Sequence, residues 1–157
     1  MPQRPQRYLA RRPATKQPSK EGCTLVTVSG THQESYDTGL GIRNHVMGAA
    51  HVECSLGQTS DFSQPVQDLV TEYAWGKVWS RPGLDLKTRS MLNLAMLTAL
   101  NRPHEFAGHV RGAVRNGVTE QEIQEVLLQT MIYCGAPAAL ESFRVAETVL
   151  REMRQPD

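Results

Sequence analysis

Cysteine is scarce in this chain, and the few residues present are badly spaced for joint work. They stand at positions 23, 54 and 134, with no Cys-x-x-Cys and no paired Cys/His spacing. That arithmetic speaks against a disulfide framework and against a zinc site, so no metal is expected. Reduced thiols in a cytoplasm-like compartment fit best. Cys134, within MIYCGAP, reads as a small apolar side chain. Long apolar runs are also missing. None reaches the ~20 residues that a bilayer-crossing helix needs, so no membrane span is expected. Net charge is nearly absent at +1, but it is unevenly spread. Residues 1–33 hold Arg4, Arg7, Arg11, Arg12, Lys16 and Lys20 against Glu21 alone, which leaves eleven bases and fifteen acids in the remainder. A mildly acidic body offers no clustered positive charge, so nucleic acid is not an expected partner.

What is present divides the chain in two. Residues 1–33 carry four prolines and few large apolar side chains, and are expected to be a disordered basic tail. The tail has no apolar core of the kind a secretory signal needs. A short strand at 23–28, CTLVTV, has no evident partner. Residues 34–157 are expected to form one all-α domain, a compact bundle of about six helices with short loops. The first is placed at 36–48, ending near Gly48. The second, at 61–80, follows Ser60 as N-cap and repeats Val66, Leu69, Val70, Tyr73, Ala74 and Val78 at helical spacing. Asp85 caps a helix at 86–100 that is apolar almost all round. Pro103 opens the next, which stops at Asn116-Gly117. TEQE at 119–122 is a capping box for another, ended by Gly135, and Pro137 starts the last. Two strongly apolar helices exceed what one small core can cover, so a homo-oligomer is expected.

The chemistry-bearing pattern lies at 105–109. Glu105 and His109 are four residues apart and therefore share a helix face, a plausible proton-transfer pair. Glu122 is accounted for by its capping box. His104 points elsewhere, and Arg111 and Arg115 read as a solvated face.

Four blocks carry a resemblance to a known family. They are YDTGLGIRNHVMGAAHVECSL (36–56), DLVTEYAWGKVWSRPGLDLKTRSMLNLAMLTAL (68–100), EFAGHVRGAVRNGVTEQEI (105–123) and EVLLQTMIYCGAPAA (125–139). Together they resemble the carboxymuconolactone decarboxylases, with YAWG…WSRPGLD the most specific. The resemblance implies a compact helical fold and a homo-oligomer, a hexamer among the assemblies it allows. It implies no metal or organic cofactor, and a small dicarboxylate lactone as substrate. Thiol-dependent hydroperoxidases share this scaffold and carry a Cys-x-x-Cys before the histidine. Here the corresponding loop is NRPHEFAGH, without cysteine. Peroxide reduction needs a nucleophilic and a resolving thiol, so that alternative is disfavoured. A non-catalytic helical binding module is the other alternative.

Such a lactone loses CO2 with its own ring carbonyl as electron sink. The protein then has to hold the spectator carboxylate, stabilise a dienolate and deliver a proton to carbon. The resemblance puts His109 first for the proton or the dienolate, with Glu105 orienting it. Arg89, Arg81 and Arg43 are candidates for holding carboxylates, since a guanidinium is planar and permanently charged. Arg89 has a competing reading as the i, i+4 partner of Asp85. Tyr73, Trp75 and Trp79 are candidates for the pocket wall. Tyr73 and Trp75, two residues apart, are expected to face different ways.

Overall fold

The computed structural model describes residues 31–155. The strand at 23–28 and nearly all of the basic tail lie outside them. Within them the chain is all-α, with seven α-helices and one π-helical segment where about six helices were expected. In order they are α1 (His32–Met47), α2 (Ala49–Gly57), α3 (Gln64–Leu69), the π segment (Val70–Trp79), α4 (Leu86–Ala99), α5 (Pro103–Arg115), α6 (Glu120–Cys134) and α7 (Ala136–Arg154).

The extra elements have identifiable causes. Thr31 and Glu34 form a reciprocal capping box, so α1 starts four residues before Tyr36 and takes in the end of the expected tail. Gly48, at φ 93, turns the chain sharply, and AAHVECSLG restarts as α2. Glycine adopts that conformation without a steric penalty. The single helix expected at 61–80 is divided. Ser60 does not cap it; α3 begins after Ser63, then widens into ten residues of π-helix.

The π segment is held against α1 by an unusually close backbone approach. A Cβ on Gly39 would lie 2.1 Å from the Thr71 carbonyl oxygen, and one on Gly76 would lie 2.0 Å from that of Ser35. Arg43, buried on α1, closes the same seam. Its Nη1 donates to Thr71 Oγ1 at 2.9 Å, and its Nη2 donates to Gln67 Oε1 at 2.9 Å and Ser55 Oγ at 3.5 Å. His32 Nδ1 and Glu72 Oε1 meet at 2.8 Å near the start of α1.

The remaining helices follow the sequence signals. Asp85 accepts from the Thr88 amide, Pro103 lies in the first turn of α5, Thr119 and Glu122 cap α6, and Gly135, at φ 103, separates α6 from α7. Leu94, Phe106, Val110, Ile123, Leu127 and Val149 form the main core between α4, α5, α6 and α7. A second, smaller cluster gathers Val46, Trp75 and Trp79. Arg115 does not merely face solvent. Its Nη1 donates to the carbonyls of Val46 and Met47, tying the end of α5 to the last turn of α1.

Candidate active site

Helix α5 divides the two clusters. Phe106, Val110 and Ala113 enter the main core. His109, on another face, meets the tryptophans of the π segment. Its ring lies 6.4 Å from Trp75 at an interplanar angle of 8°, and 6.4 Å from Trp79 at 26°. The two indoles, four residues apart on the wide π turn, lie 4.8 Å from each other and are both buried. Helix α4 supplies the third wall, where Asn93 Nδ2 lies 3.4 Å from His109 Nδ1. Burial among these groups pushes the His109 pKa below its ordinary value, and the nearby Glu105 carboxylate pushes it back up less strongly. The imidazole is therefore neutral at neutral pH.

Arg89 lies one turn before Asn93 on α4. Its Nη2 donates to the Arg81 carbonyl at 3.0 Å, while its Nε is buried and has no hydrogen-bond partner among the described residues. It does not pair with Asp85, whose carboxylate is used on the Thr88 amide. A buried guanidinium N–H without an acceptor suits a carboxylate. Arg81 contributes its backbone carbonyl to Arg89, and its own side chain is exposed.

Two expectations change. Arg43 was a candidate for holding a substrate carboxylate, but both its terminal nitrogens are committed to Thr71, Gln67 and Ser55 inside the α1 seam. Tyr73 was a candidate for the wall, but it is 48% exposed whereas Trp75 is 6% exposed. As their spacing implied, the two face different ways. Glu105 is exposed, one turn along α5 from His109. Asn93 was missed. Its one signal was an isolated amide within the apolar run MLNLAML.

A cavity of about 850 Å³ lies elsewhere, between α4 and α6. Met91, Leu92, Val126 and Tyr133 line it together with Glu122 and Glu125, and no basic side chain does. An anionic ligand would meet two carboxylates there. Among the described residues no group of three His, Cys, Asp or Glu side chains is arranged to hold a metal ion. No described helix is long and apolar enough to cross a membrane.

The chain also has relatives among known proteins. The chain is 42% identical over 122 residues to the nitrosuccinic acid decarboxylase npaB of Metarhizium robertsii, covering 78% of this chain and 85% of that protein. It is 40% identical over 121 residues to the 4-carboxymuconolactone decarboxylase of Acinetobacter baylyi, covering 77% of this chain and 90% of that protein. The model of the Carboxymuconolactone decarboxylase family matches residues 64–148, a span that includes the π segment, Arg89, Asn93 and His109. This chain belongs to the carboxymuconolactone decarboxylase family.

Proposed function

We propose that this carboxy-lyase removes CO2 from a compact dicarboxylate that carries its own electron sink, with 4-carboxymuconolactone as the substrate and the enol-lactone of β-ketoadipate as the product. The observation that carries the reading is a half-buried histidine stacked on a tryptophan wall and touched by Asn93 of α4, the helix on which Arg89, one turn earlier, keeps an unused N–H. In the lactone, the bond to the departing carboxylate breaks and its electron pair moves through the ring C=C into the lactone carbonyl. The resulting dienolate is protonated at the α carbon. Arg89 holds the spectator carboxylate. His109 serves the developing charge on the carbonyl oxygen, and the apolar faces of the tryptophans lower the local dielectric, which strengthens that interaction. The reaction needs no organic cofactor, because the carbonyl accepts the electrons itself.

The relative named for nitrosuccinic acid supports a second substrate of the same class. A nitro group beside the departing carboxylate is also an electron sink, and a second carboxylate is present for Arg89. The reading includes a homo-oligomer. Leu92, Met96, Ile132 and Tyr133 are large, apolar and exposed on α4 and α6, more than a lone subunit favours.

The test is to offer chelator-treated protein each substrate in D2O. Release of CO2 from the lactone with deuterium at the product's α carbon is expected. No release from either substrate would overturn the proposal, and release from nitrosuccinate alone would reassign the substrate. His109→Ala is expected to lower kcat by ~10²–10³ while leaving the fold in place. Near-normal kcat in that variant would remove His109 from the mechanism.

A further inference from the structure

We propose that Asn93 is a positioning residue that holds His109 as the neutral imidazole with its proton on Nε2, so that His109 stabilises the oxyanion by donating a hydrogen bond and is not the acid that protonates carbon. The inference rests on the site and reaction proposed above, and it assigns within them what the histidine does.

The first support is the contact between α4 and α5. Asn93 turns its amide nitrogen, Nδ2, toward His109 Nδ1 at 3.4 Å. An amide nitrogen donates and does not accept. Nδ1 must therefore present its lone pair, and the ring's one proton resides on Nε2. The contact is long for a hydrogen bond, but it connects two helices packed on the same core, so the amide stays in place without a short bond.

The second support is what surrounds the ring. Trp75 and Trp79 from the π segment are uncharged and buried. From α1, Met47 packs near Gly108, next in the chain to His109, and is also uncharged. On α5 itself, the Glu105 carboxylate favours the protonated ring, and desolvation outweighs it. On α4, the amide of Asn93 is neutral, and Arg89, one turn before it, turns its Nη2 to the Arg81 carbonyl. Every packed element except Glu105 leaves the ring neutral, and Glu105 is exposed.

The chemical consequence follows from proton balance. A neutral imidazole has one N–H, and here it is engaged with the carbonyl oxygen, so it is not the proton that reaches the α carbon. The proton therefore stays on Nε2, bonded to the carbonyl oxygen while the electron pair from the broken C–C bond collects there. When the pair returns, the α carbon takes its proton from a water molecule. The hydroxide left behind combines with the released CO2 as bicarbonate. This division of labour matches a known pattern in which a catalytic histidine is kept neutral so that it acts as an electrophile.

The test reads the tautomer directly. In protein labelled with 15N at histidine, long-range 15N–1H correlation at about pH 7.5 is expected to show His109 with a protonated Nε2 and a bare Nδ1. A proton on Nδ1, or a doubly protonated ring, would overturn the proposal. Asn93→Asp is the second arm. A carboxylate only accepts, so it pulls a proton onto Nδ1 and raises the pKa of His109. Wild-type kcat is expected to stay level between about pH 7 and pH 9, whereas kcat of Asn93→Asp should fall with rising pH as its imidazolium loses the Nε2 proton. A wild-type kcat that itself falls across that range would make His109 the acid after all. An Asn93→Asp profile as level as the wild type's would show that Asn93 does not control the ring. No lactone reaction in a protein that does show the Nε2–H signature would sink the proposed substrate and leave the assignment of Asn93 standing.

Discussion

The seam between α1 and the π segment and the face shared by α4 and α6 put paired helices to opposite ends. In the seam, small residues stand where the two backbones meet. Gly39 and Gly76 let them approach until no Cβ would fit, and Arg43 spends its nitrogens within the contact. The seam is complete in itself. On the other face, Leu92, Met96, Leu128, Ile132 and Tyr133 stand out from α4 and α6, and an apolar cavity opens between the helices. That face is left for something else to cover. Side-chain size at the crossing accounts for the difference: small residues close a contact, and large ones on both helices leave a groove between them.

Substitutions should separate the two regions by the size of their effects. Gly76→Ala is expected to be the most damaging. Its new methyl would strike a backbone oxygen that cannot rotate away, so a cost of about 3 kcal/mol or outright failure to fold is expected. Gly83→Ala, with nothing within 4 Å, is the control. Equal urea midpoints for the two variants would refute the account of the seam.

Arg43→Met comes next. It removes charge-assisted hydrogen bonds and strands Thr71 and Gln67, so a loss of ~1.5–3 kcal/mol is expected from denaturant titration. Tryptophan fluorescence should shift with it, because Trp75 and Trp79 ride on the segment that Arg43 holds.

A smaller effect is expected from pH. The folded-state pKa of His109 lies below its unfolded value, so the unfolded chain binds more protons as pH falls. The contribution to stability is complete above the unfolded pKa near ~6.5, and it is lost as pH falls from there toward the folded pKa. Denaturation midpoints should decline over that window, and His109→Gln should flatten the decline. Equal slopes in the two proteins would count against a half-buried, neutral ring.

The smallest effect on the fold is expected at Ile132, which is 74% exposed. Ile132→Arg should change the stability of the single chain by no more than about 0.5 kcal/mol. Its expected effect is on association, read by sedimentation at micromolar concentration. An unassociated wild type, or an undisturbed variant assembly, would argue against the α4–α6 face as the contact between subunits.

Much of the helical half from Asp85 onward was legible. Asp85, Pro103, Thr119, Glu122 and Gly135 act through local chemistry, and each acts within a few residues of where it stands. The earlier half was less so. A capping box at Thr31 was hidden because it lies where the composition reads as tail. The π segment was hidden because its apolar spacing passes for an α-helix, and what distinguishes it is a contact with α1 some thirty residues away. At the site, the shared helix face of Glu105 and His109 was visible as spacing, though among the described residues the hydrogen-bond contact of His109 is with Asn93. The partners of His109 on other helices were not.

By itself, the sequence determined the all-α class, most helix ends, the absence of a Cys-x-x-Cys before His109, and the opposite facing of Tyr73 and Trp75. Each depends on residues close together in the chain, where backbone geometry leaves few choices. Only the tertiary structure decided which arginine is available. Arg43 and Arg89 are alike as side chains, yet one is consumed by Thr71 and Gln67 and the other keeps a buried N–H without an acceptor. Only the tertiary structure brought Asn93 and two tryptophans to His109. A side chain's charge state and its free donors are set by what packs against it, and those neighbours are distant in sequence.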